Sequence, residues 1–569
     1  MAMNREKRRE RRTKTGPAAT PAPASGRGTL IALCIGAPLI IAGLVTCYLL
    51  ASHRAAREFG FPLDDSWIHV RFAQHLLGAR WFSFNPGELT STTTGALWTV
   101  LLALAYRVTH EFLFTSIVVN ALLAASLCLL VYELALTIVP SCWVALIAGL
   151  VVAVTAPLPW WVLSGMEPPL YAALAMLGLL LHVRARAQSD GQAPVYRGLT
   201  ATVIFALAGL ARPECMLLFP LAMTDHLVMS VWVERRAGGW RQWFRQIALH
   251  APVFALVVAP LFLYNHRVTG FWLPSSFYSK QQWISVAGAL ATGQMQELLY
   301  VIALAPLQQF VSLIATWTRD NALLIAPFGV GIVRLVQQVV RREGEHRSLL
   351  IPIALVVQPI VWSWLSGYRP ADFQSQRYIA ALNPLYLLIG VVGGWWILAK
   401  MGDKMSWGRA AAAAVVMIGS LAMQPASAAI YARNVKNITE MQVAIARWVR
   451  DHAPKGSLLA VNDVGAIGVI TDDPVLDLQG LVTTEVLPLR SMRERAANRA
   501  PALVLQFLVS RQPDYLIIFP AWYPDLAMRS DLFTPIFQVQ LLDNITSGSD
   551  TMVVFQTVWA KAHEKEARE

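Results

Sequence analysis

Charge is scarce in this chain. Asp, Glu, Lys and Arg make up 14% of its 569 residues, against roughly a quarter in soluble domains, while 56% are hydrophobic. That deficit excludes an ordinary soluble protein. Cysteine is scarce too: Cys34, Cys47, Cys128, Cys142 and Cys215 all fall in or beside apolar runs, and none follows. Neither a disulfide framework nor zinc-ligand spacing is present. There is no internal repeat, and the biased segments are the Ala/Pro stretch 16–25 and the alanine run 410–414.

What the chain has in quantity is long apolar runs. Residues 29–51 carry no charge and suffice for a span, which needs about 20 residues. A cleavable signal has an apolar core of about 7–15 residues, so this run reads as an uncleaved anchor. Further spans are expected at about 112–137, 142–160, 168–182, 199–212, 214–232, 249–265, 321–340, 348–366, 379–398 and 408–425, making about eleven. The shorter stretch 95–108 reads as an outer juxtamembrane helix, and 298–317 is a further stretch whose crossing would change the count. The tail 1–28 holds eight Lys/Arg against two Glu. Beside a span it sets topology, placing the N-terminus in the cytoplasm, and is not a nucleic-acid arm. Basic clusters at 184–186, 235–245, 341–347 and 400–409 fall on the same side by alternation.

After residue 425 the composition changes. Residues 426–569 carry 14 Lys/Arg and 16 Asp/Glu, so the net +12 of the chain belongs to the membrane part. Short apolar runs alternate with helical stretches there, the pattern of a small α/β domain. The expected architecture is a polytopic α-helical membrane protein in three parts: a basic tail (1–28), a transmembrane module (29–425) with its first outer loop at 52–111, and an exported α/β domain (426–569).

Alternation gathers one set of polar motifs on the outer face: FPLDDSWIHVRFAQHLLG (61–78), FNPGE (84–88), SGMEPPLY (164–171), ARPE (211–214), LPSSFYSK (273–280) and YRPADFQSQRY (368–378). Ionisable groups near span ends, here Glu167, Arg212, Glu214, Asp372 and Arg377, are site candidates by default. Each can also be a snorkelling anchor or an interhelical ion pair. The pair Asp64 and Asp65 opens an amphipathic helix, where two acids complement the helix dipole. Four residues on, His69 shares a face with Asp65.

These motifs, in this order, resemble the GT-C membrane glycosyltransferases, and in particular the terminal arabinofuranosyltransferases of mycobacterial cell walls. The resemblance covers most of 61–400, and VNDVGAIGVITDDPVLDLQGLV (461–482) is similar to a domain often attached to such enzymes. ARWFS (79–83) and STTTGALW (91–98) depart from the family pattern. The resemblance implies an inverting transfer of a sugar, arabinofuranose among the candidates, from a polyprenyl-phosphate donor to a cell-envelope glycan or lipid acceptor. It would take place on the outer face of the cytoplasmic membrane, among membrane lipids. It implies Asp64 as base, with Asp65 orienting it or positioning the acceptor.

The chemistry agrees. A base must take the proton of the incoming hydroxyl, and two close carboxylates raise one pKa toward neutrality. The departing lipid phosphate needs cations, for which Arg377 is the candidate, helped by Lys280 and Arg212. A structural pairing of Arg377 with Asp372 is the alternative. His69, Arg71, Asn85, Glu88, Glu167, Tyr278 and Asp372 are the expected substrate-binding residues. Trp67, Trp81 and Trp98 either stack on sugar rings or anchor the interface. The cofactor is unknown: no metal-ligand motif is present, and a divalent cation at the aspartate pair stays open. The competing class is a multi-span transporter or lipid flippase with an exported interaction domain, which predicts charges deep within spans and inverted repeats.

Overall fold

The computed structural model describes residues 25–560 apart from 79–80, 188–195, 236, 281–285, 344–345, 347, 367, 401–405, 492–493 and 496–497. Hydropathy dictates its first part. Helix α1 (Ser25–Ala56) leads into an outer loop holding α2 (Asp64–Leu77) and α3 (Ala96–Thr109). Then come α4 (Phe112–Ile138), α5 (Cys142–Ala153), α6 (Pro157–Leu163), α7 (Pro168–Ala187) and α8 (Leu199–Ala211). Helical runs Pro213–Val233, Gly239–Thr269 and Met295–Arg341 follow, then α9 (Leu350–Ser366) and α10 (Asn383–Ala399).

Seven described helices are long and apolar enough to cross a membrane, or eight if the bent pair α5 and α6 forms one span. The bend of 58° falls where prolines at 157 and 159 interrupt the ladder. The shorter apolar helices Leu199–Ala211, Leu350–Leu365 and Asn383–Ala399 fall at three further stretches read as spans in the sequence. The stretch 298–317 is absorbed into the run Met295–Arg341. After α6 the chain turns through Gly165, at φ +70°, where a Cβ would lie 2.3 Å from the Phe61 ring. Only glycine lets this corner sit against the outer loop.

The last helical run does not end at 425. It extends from Gly408 to His452, through α11 (Gln424–Ile438), a wide π-turn at Thr439–Val443 and α12 (Ala444–His452). The apolar helix itself ends at Ala422, and α11 starts after a break at Met423 with Pro425 in its first turn, two residues from the boundary expected from the composition. Beyond it, β1 (Leu459–Val461), α13 (Gly465–Thr471), β2 (Val475–Asp477), β3 (Tyr515–Ile518), β4 (Phe533–Gln540) and β5 (Thr551–Thr557) build a mixed sheet of order β2-β1-β3-β5-β4. Its β1 is parallel to β2 and β3, and β5 is antiparallel to β3 and β4.

The sheet does not close its own core. Phe72 and Phe84 of the outer loop are buried in one cluster with Val461, Val464, Ile467, Val475 and Ile517. Polar contacts extend the seam. The Asn85 amide pairs with the Val475 backbone at 2.9 Å in both directions. Arg71 Nη1 reaches Asp472 at 2.5 Å, Thr90 Oγ1 donates to Val482 O at 2.9 Å, and Ser279 Oγ to Gln479 O at 2.8 Å. Burial of large aromatics together with satisfied polar groups makes this seam part of the fold rather than a surface encounter.

Candidate active site

Helix α2 divides its polar residues between two faces. Asp65, Ile68, His69 and Phe72, spaced by three and four, line a small polar cavity of about 50 Å³. Thr92, Thr93, Thr94, Met166, Arg212, Ser276 and Arg377 complete it, with Leu481 and Val482 from the segment after β2. Asp64 and Arg71, seven apart on the other face, meet the sheet domain instead.

At Asp65, Oδ2 accepts a hydrogen bond from Arg377 Nη2 at 2.7 Å. Arg377 is buried; it also donates to Tyr378 Oη at 3.0 Å and contacts Met166 Sδ at 2.9 Å. Its Nε–H has no partner among the described residues. Arg212, equally buried, also has an unpartnered Nε–H. The two guanidiniums flank one ring, with Arg212 Cζ 4.5 Å and Arg377 Cζ 4.9 Å from the Tyr378 centroid. Cation–π contact and the carboxylates Asp65, Glu167 and Glu214 offset their repulsion. Glu167 pairs with Arg212 Nη1, and its Oε2 lies 3.4 Å from His69 Nε2. Burial alone would raise the Glu167 pKa, but Arg212, His69 and Arg377 hold it well below the usual carboxylate range.

Arg377 is aimed by an unusual turn. Gln374, Ser375 and Gln376 have φ of 47°, 51° and 64°, a left-handed run costing about 1–2 kcal/mol per residue. Tertiary bonds hold it: Trp161 Nε1 donates to Ser375 O at 2.7 Å, Asn383 Nδ2 to Gln376 Oε1 at 3.1 Å, and Tyr171 Oη to Arg377 O. The turn points Arg377 away from Asp372, which pairs with Arg319 at 2.8 Å on the exposed side. The alternative pairing of Arg377 with Asp372 is thereby corrected, since Arg377 pairs with Asp65, and Asp372 lies outside the chamber.

A second cavity of about 430 Å³ opens beside the first, and Thr94 and Arg212 line both. Its walls are mainly apolar, including Leu273, Phe277, Trp362, Leu365 and Leu382, and Arg369 and Tyr378 also line it. A polar chamber with two buried cations thus adjoins an apolar slot.

Asp64 faces elsewhere. Its Oδ2 and Oδ1 accept the N–H groups of Gly465 and Ala466, each at 2.8 Å, at the start of α13. A Cβ on residue 465 would lie 2.1 Å from the Asp64 carbonyl oxygen. Burial, then repulsion from Asp463 and Asp65, push the Asp64 carboxyl up against the pull of these two N–H groups. Burial and Asp65 raise Asp463 likewise, although Gln442 Nε2 donates to it at 2.9 Å. Both acids hold protons in the assembled state at pH values where free Asp, near 3.9, has lost them. The seam should be most stable below about pH 4 and weaken as pH rises through the raised pKa values. Thermal melting from pH 4 to pH 9 should show this fall, and Asp64→Asn should flatten it.

Several other expected site residues lie outside the chamber. Arg71 and Asn85 serve the seam, and Glu88 accepts from Asn85 Nδ2 at 2.9 Å in an exposed turn. Tyr278 packs on Phe271 and Phe277. The Lys280 side chain lies outside the described residues. Trp98 is buried and donates to Gly165 O at 3.0 Å, whereas Trp81 is 69% exposed. Thr92–Thr94 and Ser276 were not anticipated; the STTTG run was visible only as a departure from the family pattern. Among the described residues, no three His, Cys, Asp or Glu side chains are arranged to hold a metal ion.

A family model described as a domain of unknown function (DUF8728) matches residues 433–561. No curated protein sequence matches the chain. Solved structures do. ArnT from Cupriavidus metallidurans, 13% identical, aligns over 91% of this chain and 97% of its own, with TM-score 0.52 in the apo state and 0.50 bound to undecaprenyl phosphate. The oligosaccharyltransferase AglB from Archaeoglobus fulgidus, in complex with an inhibitory peptide and a dolichol-phosphate, is 13% identical over 94% of this chain and 75% of its own, TM-score 0.56. Taken with the helical module and its sheet domain, these likenesses identify a polytopic membrane protein of the GT-C fold.

Proposed function

We propose that the protein is an inverting glycosyltransferase of the cytoplasmic membrane. It moves a sugar from a polyprenyl-phosphate donor to a cell-envelope glycan or lipid on the outer face. The observation that carries this reading is the pair of buried guanidiniums in the polar chamber, one of which, Arg212, also lines the apolar slot. Each keeps an unpartnered Nε–H, and a buried donor without a partner costs about 1–3 kcal/mol. A phosphate oxygen would satisfy both, while the slot takes the prenyl chain. The undecaprenyl and dolichol phosphates named with the two structural neighbours support the same donor class. Within that class, the outer-loop motifs favour arabinofuranose. The N-terminus is cytoplasmic and the sheet domain extracytoplasmic, as the basic turns require.

In the proposed reaction Asp65, which faces the chamber, takes the proton of the acceptor hydroxyl, and the freed oxygen attacks the anomeric carbon. The bond from that carbon to the phosphate oxygen breaks with its electron pair on the phosphate, leaving polyprenyl monophosphate against Arg377 and Arg212. Single displacement inverts the anomeric centre. This reverses the roles expected from the family pattern: Asp64 becomes the positioning residue, because its carboxylate is taken up by Gly465 and Ala466.

Binding of undecaprenyl phosphate to the protein in nanodiscs tests the reading. Affinity should fall in the order wild type, Arg377→Lys, Arg377→Ala, because Lys keeps the charge but loses the planar fork. Equal binding by wild type and folded Arg377→Ala would overturn it.

A further inference from the structure

On the other side of α2 and α13 from the polar chamber lies a separate cleft of about 210 Å³. It sits between the outer end of α1 and the helix carrying the sheet domain. Phe59, Phe61 and Trp67 form aromatic walls, with the Phe61 and Trp67 rings edge-on at 5.4 Å. The Trp67 indole N–H is buried and has no partner among the described residues. Facing it are Thr439, which opens the π-turn, and Arg447, whose two terminal nitrogens donate to Glu58 at 3.2 and 2.8 Å. A π-turn widens a helix at the expense of regular bonding and is frequent at functional sites.

The lining is mixed in a specific way. It offers apolar ring faces and edges, N–H donors from Trp67 and Arg447, a hydroxyl that can donate or accept, and a carboxylate acceptor. Arg450 lines the cleft as well, but Arg447 is paired with Glu58 and Arg450 with Asp451, so both cations are already matched by carboxylates. A polyol, whose hydroxyls both donate and accept, can use every group, and aromatic walls match the apolar C–H faces of a sugar ring. The cleft opens on the face of α2 that carries Asp64 and meets the sheet domain, away from the chamber that Asp65 faces. Trp67 follows Asp64 by three residues on one helix face. Ile470, also in the cleft wall, is five residues beyond Gly465 on α13, about 7.5 Å along the axis at 1.5 Å per residue.

We propose that this cleft is a sugar subsite that holds a residue of the acceptor glycan distant from the one whose hydroxyl reacts in the chamber. The proposal rests on the transferase reading for its purpose but not for its binding chemistry. It assigns a substrate contact to the junction between the first outer loop and the matched domain of unknown function.

Saturation-transfer NMR on the full chain in nanodiscs tests it. The probes are methyl α-arabinofuranoside, methyl β-galactofuranoside, methyl α-mannopyranoside and methyl β-glucopyranoside. At least one should receive saturation from the wild type. Trp67→Phe, which keeps an aromatic wall but removes the N–H, and Arg447→Gln should each weaken that binding by about tenfold, the scale of one lost hydrogen bond. Melting curves of both variants establish that they are folded. No transfer to any probe, or transfer undiminished in both folded variants, overturns the subsite. Undecaprenyl phosphate binding by the same wild-type sample is read separately: if it is retained while the sugars fail, only the subsite falls. If it is absent while the sugars bind, the subsite stands and the transferase reading falls.

Discussion

Asp65→Asn should lower sugar transfer by a factor of roughly 10² or more, the usual scale for loss of a general base, with only a small change in melting temperature. The amide oxygen can still accept from Arg377 Nη2, so the buried guanidinium keeps a neighbour. Asp64→Asn should behave differently. Its carboxylate meets two backbone N–H groups of the sheet domain rather than the chamber, so part of the activity should survive, while the pH dependence of melting changes. Rates and melting curves of both variants over pH 5–9 separate the two roles. Near-normal transfer by Asp65→Asn beside an inactive, folded Asp64→Asn would return the base to Asp64.

Gly465→Ala should be among the most disruptive single changes in the sheet domain, although it adds one methyl group. That group would lie 2.1 Å from the Asp64 carbonyl oxygen and 2.8 Å from Oδ2. The first neighbour is backbone, which cannot swing aside, so α2 and α13 must separate. Overpacking alone costs about 1–3 kcal/mol, and each hydrogen bond lost from Asp64 to the α13 N–H groups adds about 0.5–1.5 kcal/mol. Loss of a fully assembled seam should appear as a marked drop in melting temperature and faster proteolysis near residue 453. Gly329→Ala is the matching control: it has open space around its Cβ and should be neutral or slightly stabilising, since Ala outranks Gly in helices. If the two variants melt alike, close contact between α2 and α13 is not a feature of the protein in solution.

The spans were legible because hydropathy is a local property: twenty apolar residues carry the signal wherever they fall. The aspartate pair was legible for the same reason. Its division was not, because a rotation of about 100° per residue decides which acid meets the chamber. The deciding partner at 465–466 lies 401 residues away from Asp64. Asn85 and Arg71 illustrate the same point. An amide or guanidinium reads identically whether it binds a glycan or the backbone of β2, and only the fold distinguishes them. The turn before Arg377 had no signal at all. Gln-Ser-Gln holds no glycine to announce positive φ, and its strain is sustained by Trp161, Tyr171 and Asn383 from other elements.

The near-continuous passage of the final helical run from Gly408 to His452, interrupted at Met423 and again at the π-turn, has a mechanical consequence. A peptide tether would let the sheet domain swing off the membrane module like a lid. A helix transmits bending and torque instead, so the domain and the last membrane-length helix move as one lever. Compliance in such a lever concentrates where the regular ladder is interrupted, which here is the turn at Met423, just before Pro425, and the π-turn at Thr439–Val443. Large excursions of the domain are therefore disfavoured. Substrate exchange would have to proceed sideways, from the plane of the bilayer, through a rocking of a few degrees about these turns.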